Sequence, residues 1–91
     1  MVEKEGFPMQ QEICHFLHAL RDELSEELLL EFRSLPLSQL KNCHFGLGLH
    51  IRNRYLKNDS ALTLGFARIG VESKDDISHI LLLLFYLFVK L

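Results

Sequence analysis

CHFGLGLHIRNRYL, residues 43–56, decides how the rest of the chain folds, because it is either the middle helix of a bundle or a loop between two halves. Plotted at about 100° per residue, His44, Leu47, Gly48, Ile51 and Tyr55 share one side, and Phe45, Leu49 and Leu56 widen that stripe. Gly46, His50, Asn53, Arg54 and Lys57 take the opposite arc. A helix over 44–57 is the better reading. The alternative begins the helix only after Gly48 and leaves HFGLG as a loop.

Arg52 falls inside the apolar sector of that wheel. A guanidinium does not lose its proton, so enclosure demands an ionic and hydrogen-bonded partner, best a carboxylate. Asp75 and Asp76 are the expected partners, with Glu31 behind them. Glycine inside a helix costs about 1 kcal/mol relative to alanine, so Gly48 makes sense where another backbone comes close.

HFGLGLHIRN, followed by the Asp59-Ser60 pair and by Asp75-Asp76-Ile77-Ser78, resembles a family of small bacterial domains of unknown function. The family shares an HFGLG-x-x-IRN core and a downstream Asp-Asp-x-Ser helix start. His44, Phe45, Gly46, Leu47, Gly48, Ile51, Arg52 and Asn53 match the first, and Asp75, Asp76 and Ser78 the second. His50 stands where an aromatic is common and Lys74 where proline is common; neither departure touches the shared core. The resemblance covers the C-terminal two-thirds and implies a fold, with no activity attached.

Outward from this stretch, 91 residues allow one domain with a modest core. Hydrophobic residues at 48% and charged ones at 24% are those of a globular protein. A net charge of −2 argues against general nucleic-acid binding, which shows as a basic surplus. Cys14 and Cys43 form no C-x-x-C pair; a disulfide is possible, and a reduced cytoplasmic setting fits better. Residues 1–12 carry charges and no apolar run, so no signal peptide is read there.

Residues 1–6 are expected to be disordered and 7–91 to form a single domain. Met9, Ile13, Phe16, Leu17, Leu20 and Leu24 recur at helical spacing behind Pro8, predicting a helix over 8–23. Ser25 caps a second helix to about Arg33, with Leu28, Leu29, Phe32 and Leu35 facing inward and almost no loop between the two. Leu35-Pro36 breaks it, and Ser38 is a candidate cap for the lead into the central stretch. Ser60 starts a short helix ended by Gly70, although Leu62, Leu64 and Phe66 would also suit a strand. Ser73 with Asp76 forms a capping box for a last helix, ISHILLLLFYLFVKL. The expected class is all-α: a compact bundle of four to five short helices around a central HFGLGLHIRN helix and an apolar C-terminal helix.

Ile80 to Val89 carries no charge, yet a bilayer span needs about 20 residues. A helix apolar all round must be covered all round, so Leu82, Leu83, Phe85, Tyr86 and Val89 are expected to meet a second copy or a partner protein.

His44, Arg52, Asn53, Asp75 and Asp76 are the sharpest polar constellation. They read as an internal ion pair with caps, or as a phosphate or carboxylate site; Arg52, Arg54 and His44 would carry the latter. Cys14, His15, His18, Cys43 and His44 lack zinc-motif spacing, so neither metal nor cofactor is implied. The acidic series Asp22, Glu23, Glu26, Glu27 and Glu31 reads as a solvated face that could dock on a basic partner. No nucleophile elbow, phosphate loop or metalloprotease motif occurs. Ser78 and His79 diverge as helical neighbours, so catalysis is not expected. The function expected is a non-enzymatic protein-binding module of inhibitor, immunity or regulatory type.

Overall fold

The computed structural model describes residues 8–91, with side chains except at 8, 9 and 43–45. The expectation of disorder at 1–6 lies outside the described residues. Five α-helices are present there: α1 (Pro8–Glu23), α2 (Glu26–Ser34), α3 (Leu49–Tyr55), α4 (Ala61–Arg68) and α5 (Lys74–Lys90). Between α2 and α3 run a 3-10 segment, Leu37–Cys43, and one π-helical turn, His44–Gly48. No strand occurs among the described residues, which settles 61–68 as helix. No helix among them is long and apolar enough to cross a membrane.

Most boundaries follow from local chemistry. The Ser25 hydroxyl accepts the Leu28 N–H at 3.2 Å and starts α2. Ser60 accepts the Thr63 N–H at 3.2 Å and starts α4. Gly70 adopts φ +93°, and the Gly70 and Val71 N–H groups close on Ala67 and Phe66 carbonyls at 3.0 and 2.9 Å. That doubly bonded ending needs a left-handed residue, which glycine supplies without strain. Ser73 differs from expectation, since its side chain makes no capping bond. α5 instead starts with Asp75 and Asp76 in its first turn, where the helix dipole favours acids.

The continuous helix expected over 44–57 is interrupted. The chain winds tightly through 37–43, widens to a π turn at 44–48 and settles into α geometry only at Leu49. Glycines at 46 and 48 lower the preference for regular α winding, which lets the turn widen. Gly48 is buried.

The bundle is organised about α5 rather than about the central stretch. α1, α2, the π turn, α3 and α4 all pack on it. Ile77, Leu81, Leu82, Phe85 and Tyr86 form its buried face, meeting Phe16 and Leu20 of α1, Phe32 of α2, Ile51 of α3 and Phe66 of α4. Phe32 lies 5.6 Å from both the Phe85 and Tyr86 rings, and the Tyr86 hydroxyl donates to the Leu35 carbonyl. The expected partner interface is therefore corrected. Leu82, Phe85 and Tyr86 are buried inside the chain and offer nothing to another molecule. Val89 is half-buried, and Leu83 is exposed beside Leu87. Five elements surround α5, so its apolar face is covered largely from within the chain.

Leu28 is also corrected: it points outward and is 51% exposed. α2 has nine residues and docks on α5 through Phe32, flanked by half-buried Leu29 and Leu35. The next position round the helix is left facing away from the core.

Candidate functional site

Arg52 donates to the Asp75 carboxylate across the junction of α3 and α5, so the expected ion pair forms. Its setting is wetter than expected, with side-chain exposures of 23% for Arg52 and 63% for Asp75. Asn53 and Asp76 are exposed and enter no side-chain hydrogen bond among the described residues. The His44 and Cys43 side chains lie outside the described residues. The constellation thus reduces to one ion pair at the rim of the core.

A second polar centre was not read as such from the sequence. Glu23, the last residue of α1, receives three side chains from α3. His50 Nε2 lies 3.0 Å from Oε1, while Arg54 Nε and the Tyr55 hydroxyl both donate to Oε2 at 2.7 Å. Tyr55 is steadied by an edge-on contact with Phe16, ring centroids 5.0 Å apart. Burial pulls the Glu23 pKa upward, and the bonds from Arg54, Tyr55 and His50 outweigh it, leaving the carboxyl at about 2. Tyr55 is pushed up to about 12, first by burial and then by the carboxylate it donates to. Glu23 likewise strengthens the hold of Arg54 on its proton. His50 and Arg54 stand four apart on one face of α3, the signal that could have marked them as a pair sharing a distant acid.

Together these contacts assign Arg52 and Arg54 to different acids. Arg52 belongs to Asp75 and Arg54 to Glu23, so each guanidinium already holds a carboxylate. Of the Cys/His set, which was not expected to hold a metal, Cys14, His15 and His18 are described. Cys14 is an exposed free thiol, and His18 packs edge-on against Phe88 at 5.2 Å beside Arg21. No group of three metal-ligating side chains converges among the described residues. The Ser78 hydroxyl is buried and donates to the Asp75 carbonyl at 3.0 Å.

Beside the Glu23 centre lies an open groove of about 570 Å³ between α2 and the 3-10 and π segments. Its floor is apolar: Leu24, Leu28, Phe32, Leu35 and Leu47. Its rim carries Glu23, Glu31, Asn42 and His50, and Gly46 leaves one wall low, with nothing within 4 Å of where a Cβ would stand. Water against such a floor is unfavourable by roughly 25 cal/mol per Å², so the groove is suited to an apolar occupant. Sequence reading missed it because Leu28 was assigned to the core.

No curated protein and no solved structure matches the chain. A family model described as a domain of unknown function matches residues 12–87, from within α1 almost to the end of α5. The chain belongs to that family, DUF6794.

Proposed function

We propose that this is a non-enzymatic protein-binding module, a small bacterial cytoplasmic domain of inhibitor, immunity or regulatory type. The observation that carries the reading is the groove: an apolar floor, with Leu28 half in water, walled by three elements of the bundle. Concave apolar surfaces edged by a few polar groups are where ligands and partners dock. The contact face is thus α2 with the central segment, in place of the C-terminal helix.

The alternative, a phosphate site built on Arg52, Arg54 and His44, is weaker on physical grounds. Two of its cations are already matched by Asp75 and Glu23, and an incoming anion would have to displace them.

Leu28→Asp tests the module. Cross-linking in the native cell followed by purification is expected to recover a partner with the wild-type chain and lose it with the variant. Circular dichroism should be unchanged, since Leu28 is not in the core. Retention of the same partner by the variant would sink the reading.

A further inference from the structure

The groove has a length, a charge and a direction. α2 forms one long wall, nine residues or about 14 Å at 1.5 Å per residue. Leu28, Phe32 and Leu35 succeed one another along it at spacings of four and three, the ridge that a second helix packs against. Among the described residues no sheet edge is available for an added strand, and the floor presents side chains rather than backbone.

Charge narrows the occupant further. Glu23 on the rim is matched by Arg54 and His50, but Glu31 has no cationic partner among the described residues. Asp22 and Glu27 stand exposed nearby in sequence. Arg33, the one cation of α2, lines a different depression together with Glu26, Arg21 and Leu91. The groove therefore combines grease below with negative potential at its edge. A second copy docking face to face would bring two acidic rims together with no cation of the groove left over to match Glu31. Anionic lipid surfaces are disfavoured for the same reason.

We infer that the groove receives a short amphipathic helix from a partner protein, with apolar side chains on the floor and a lysine or arginine against Glu31. This rests on the protein-binding reading and specifies its partner. The helix covers two to three turns, sets its anchors at i, i+3 or i+4, and i+7, and carries its positive charges beside that row.

The test uses the full chain and two labelled helical peptides, one with leucine at the anchor positions and lysine beside them, the other with glutamate replacing each lysine. Fluorescence anisotropy is expected to show the lysine peptide binding about tenfold more tightly. Glu31→Lys should reverse that preference. Glu72→Lys, the same change of net charge at an exposed site outside the groove, should leave it within about twofold. Leu28→Asp and Gly46→Leu, the second of which builds a side chain into the groove from its open wall, should each abolish binding.

Equal binding of both peptides would overturn the inference, as would equal losses from Glu31→Lys and Glu72→Lys, which mean diffuse attraction. So would saturable binding of an apolar dye with neither peptide bound, which assigns the groove to a small ligand. If neither peptide binds while the cross-linked partner is still lost in Leu28→Asp, the helix is wrong and the protein-binding reading stands. If the variant keeps the partner, the module reading itself fails.

Discussion

Arg52 and Asp75 join α3 to α5 through a single ion pair that is half in water. The guanidinium is mostly covered and the carboxylate mostly exposed, an asymmetry that sets what the pair contributes. Full enclosure would make the loss of Asp75 cost several kcal/mol, because a charge would be left stranded. Here water can replace the missing carboxylate. Asp75→Ala is expected to cost about 1 kcal/mol, and Arg52→Lys less. Chemical denaturation of the two variants checks this; a loss of about 4 kcal/mol would mean that the pair is sealed from solvent.

Glu23 makes the fold sensitive to acid. Its carboxyl titrates at about 2 in the folded chain against 4.5 in the unfolded one, so folding favours the ionised form. The contribution is complete above the unfolded value and fades as pH falls from 4.5 towards 2. Glu23→Gln should remove about 1–2 kcal/mol at neutral pH after allowance for solvent screening. The difference between wild type and variant should shrink as urea melts are repeated at falling pH. A difference that is constant with pH would deny the network its ionic character.

Tyr55 gives the opposite sign at the alkaline end. Its hydroxyl loses its proton near 12, above the ordinary value of 10, so its contribution is complete below 10 and is lost as pH rises through 12. The chain has two tyrosines, and the difference between wild-type and Tyr55→Phe phenolate titrations isolates this one. A late transition is expected. Ionisation of Tyr55 at its ordinary value would mean that the Glu23 contact is absent in solution.

Within α5, neighbouring large apolar residues are expected to behave very differently. Phe85 is fully buried between Phe32 and Phe88, and Phe85→Ala should cost about 3–5 kcal/mol. Leu87 is 50% exposed, and Leu87→Ala should change stability by less than about 1 kcal/mol. Thermal melts of the two variants separate them. Comparable losses would mean that the outer face of α5 is covered in solution.

The helices were legible where short-range chemistry decides them. Ser25, Ser60 and Gly70 mark ends by side-chain size and hydrogen bonding alone, and Phe16, Leu20 and Leu24 recur at a spacing only a helix rewards. The Arg52–Asp75 pair was legible too, since one charged residue stood in an apolar sector and the acids lay at a helix start. Coverage was not. Whether Phe85 meets this chain or another depends on how many elements surround α5, and periodicity does not report that number. The Glu23 centre escaped for a similar reason, as His50, Arg54 and Tyr55 reach it across 27 to 32 residues of chain. The groove escaped because Leu28 looks like any other helical leucine until α2 is seen docking through its neighbour Phe32.

The wide turn at His44–Gly48 has a consequence for insertions and deletions. A π turn carries more residues per revolution than its α-helical continuation, so it stores surplus chain just ahead of α3. Removing one residue there should tighten the turn to α winding and leave the segments on either side close to their present orientation. Phe16, Leu20 and Phe32 upstream and Ile51 downstream would then stay seated on α5. A one-residue deletion is expected to be absorbed at this spot and to disrupt the interior if made within α3 instead.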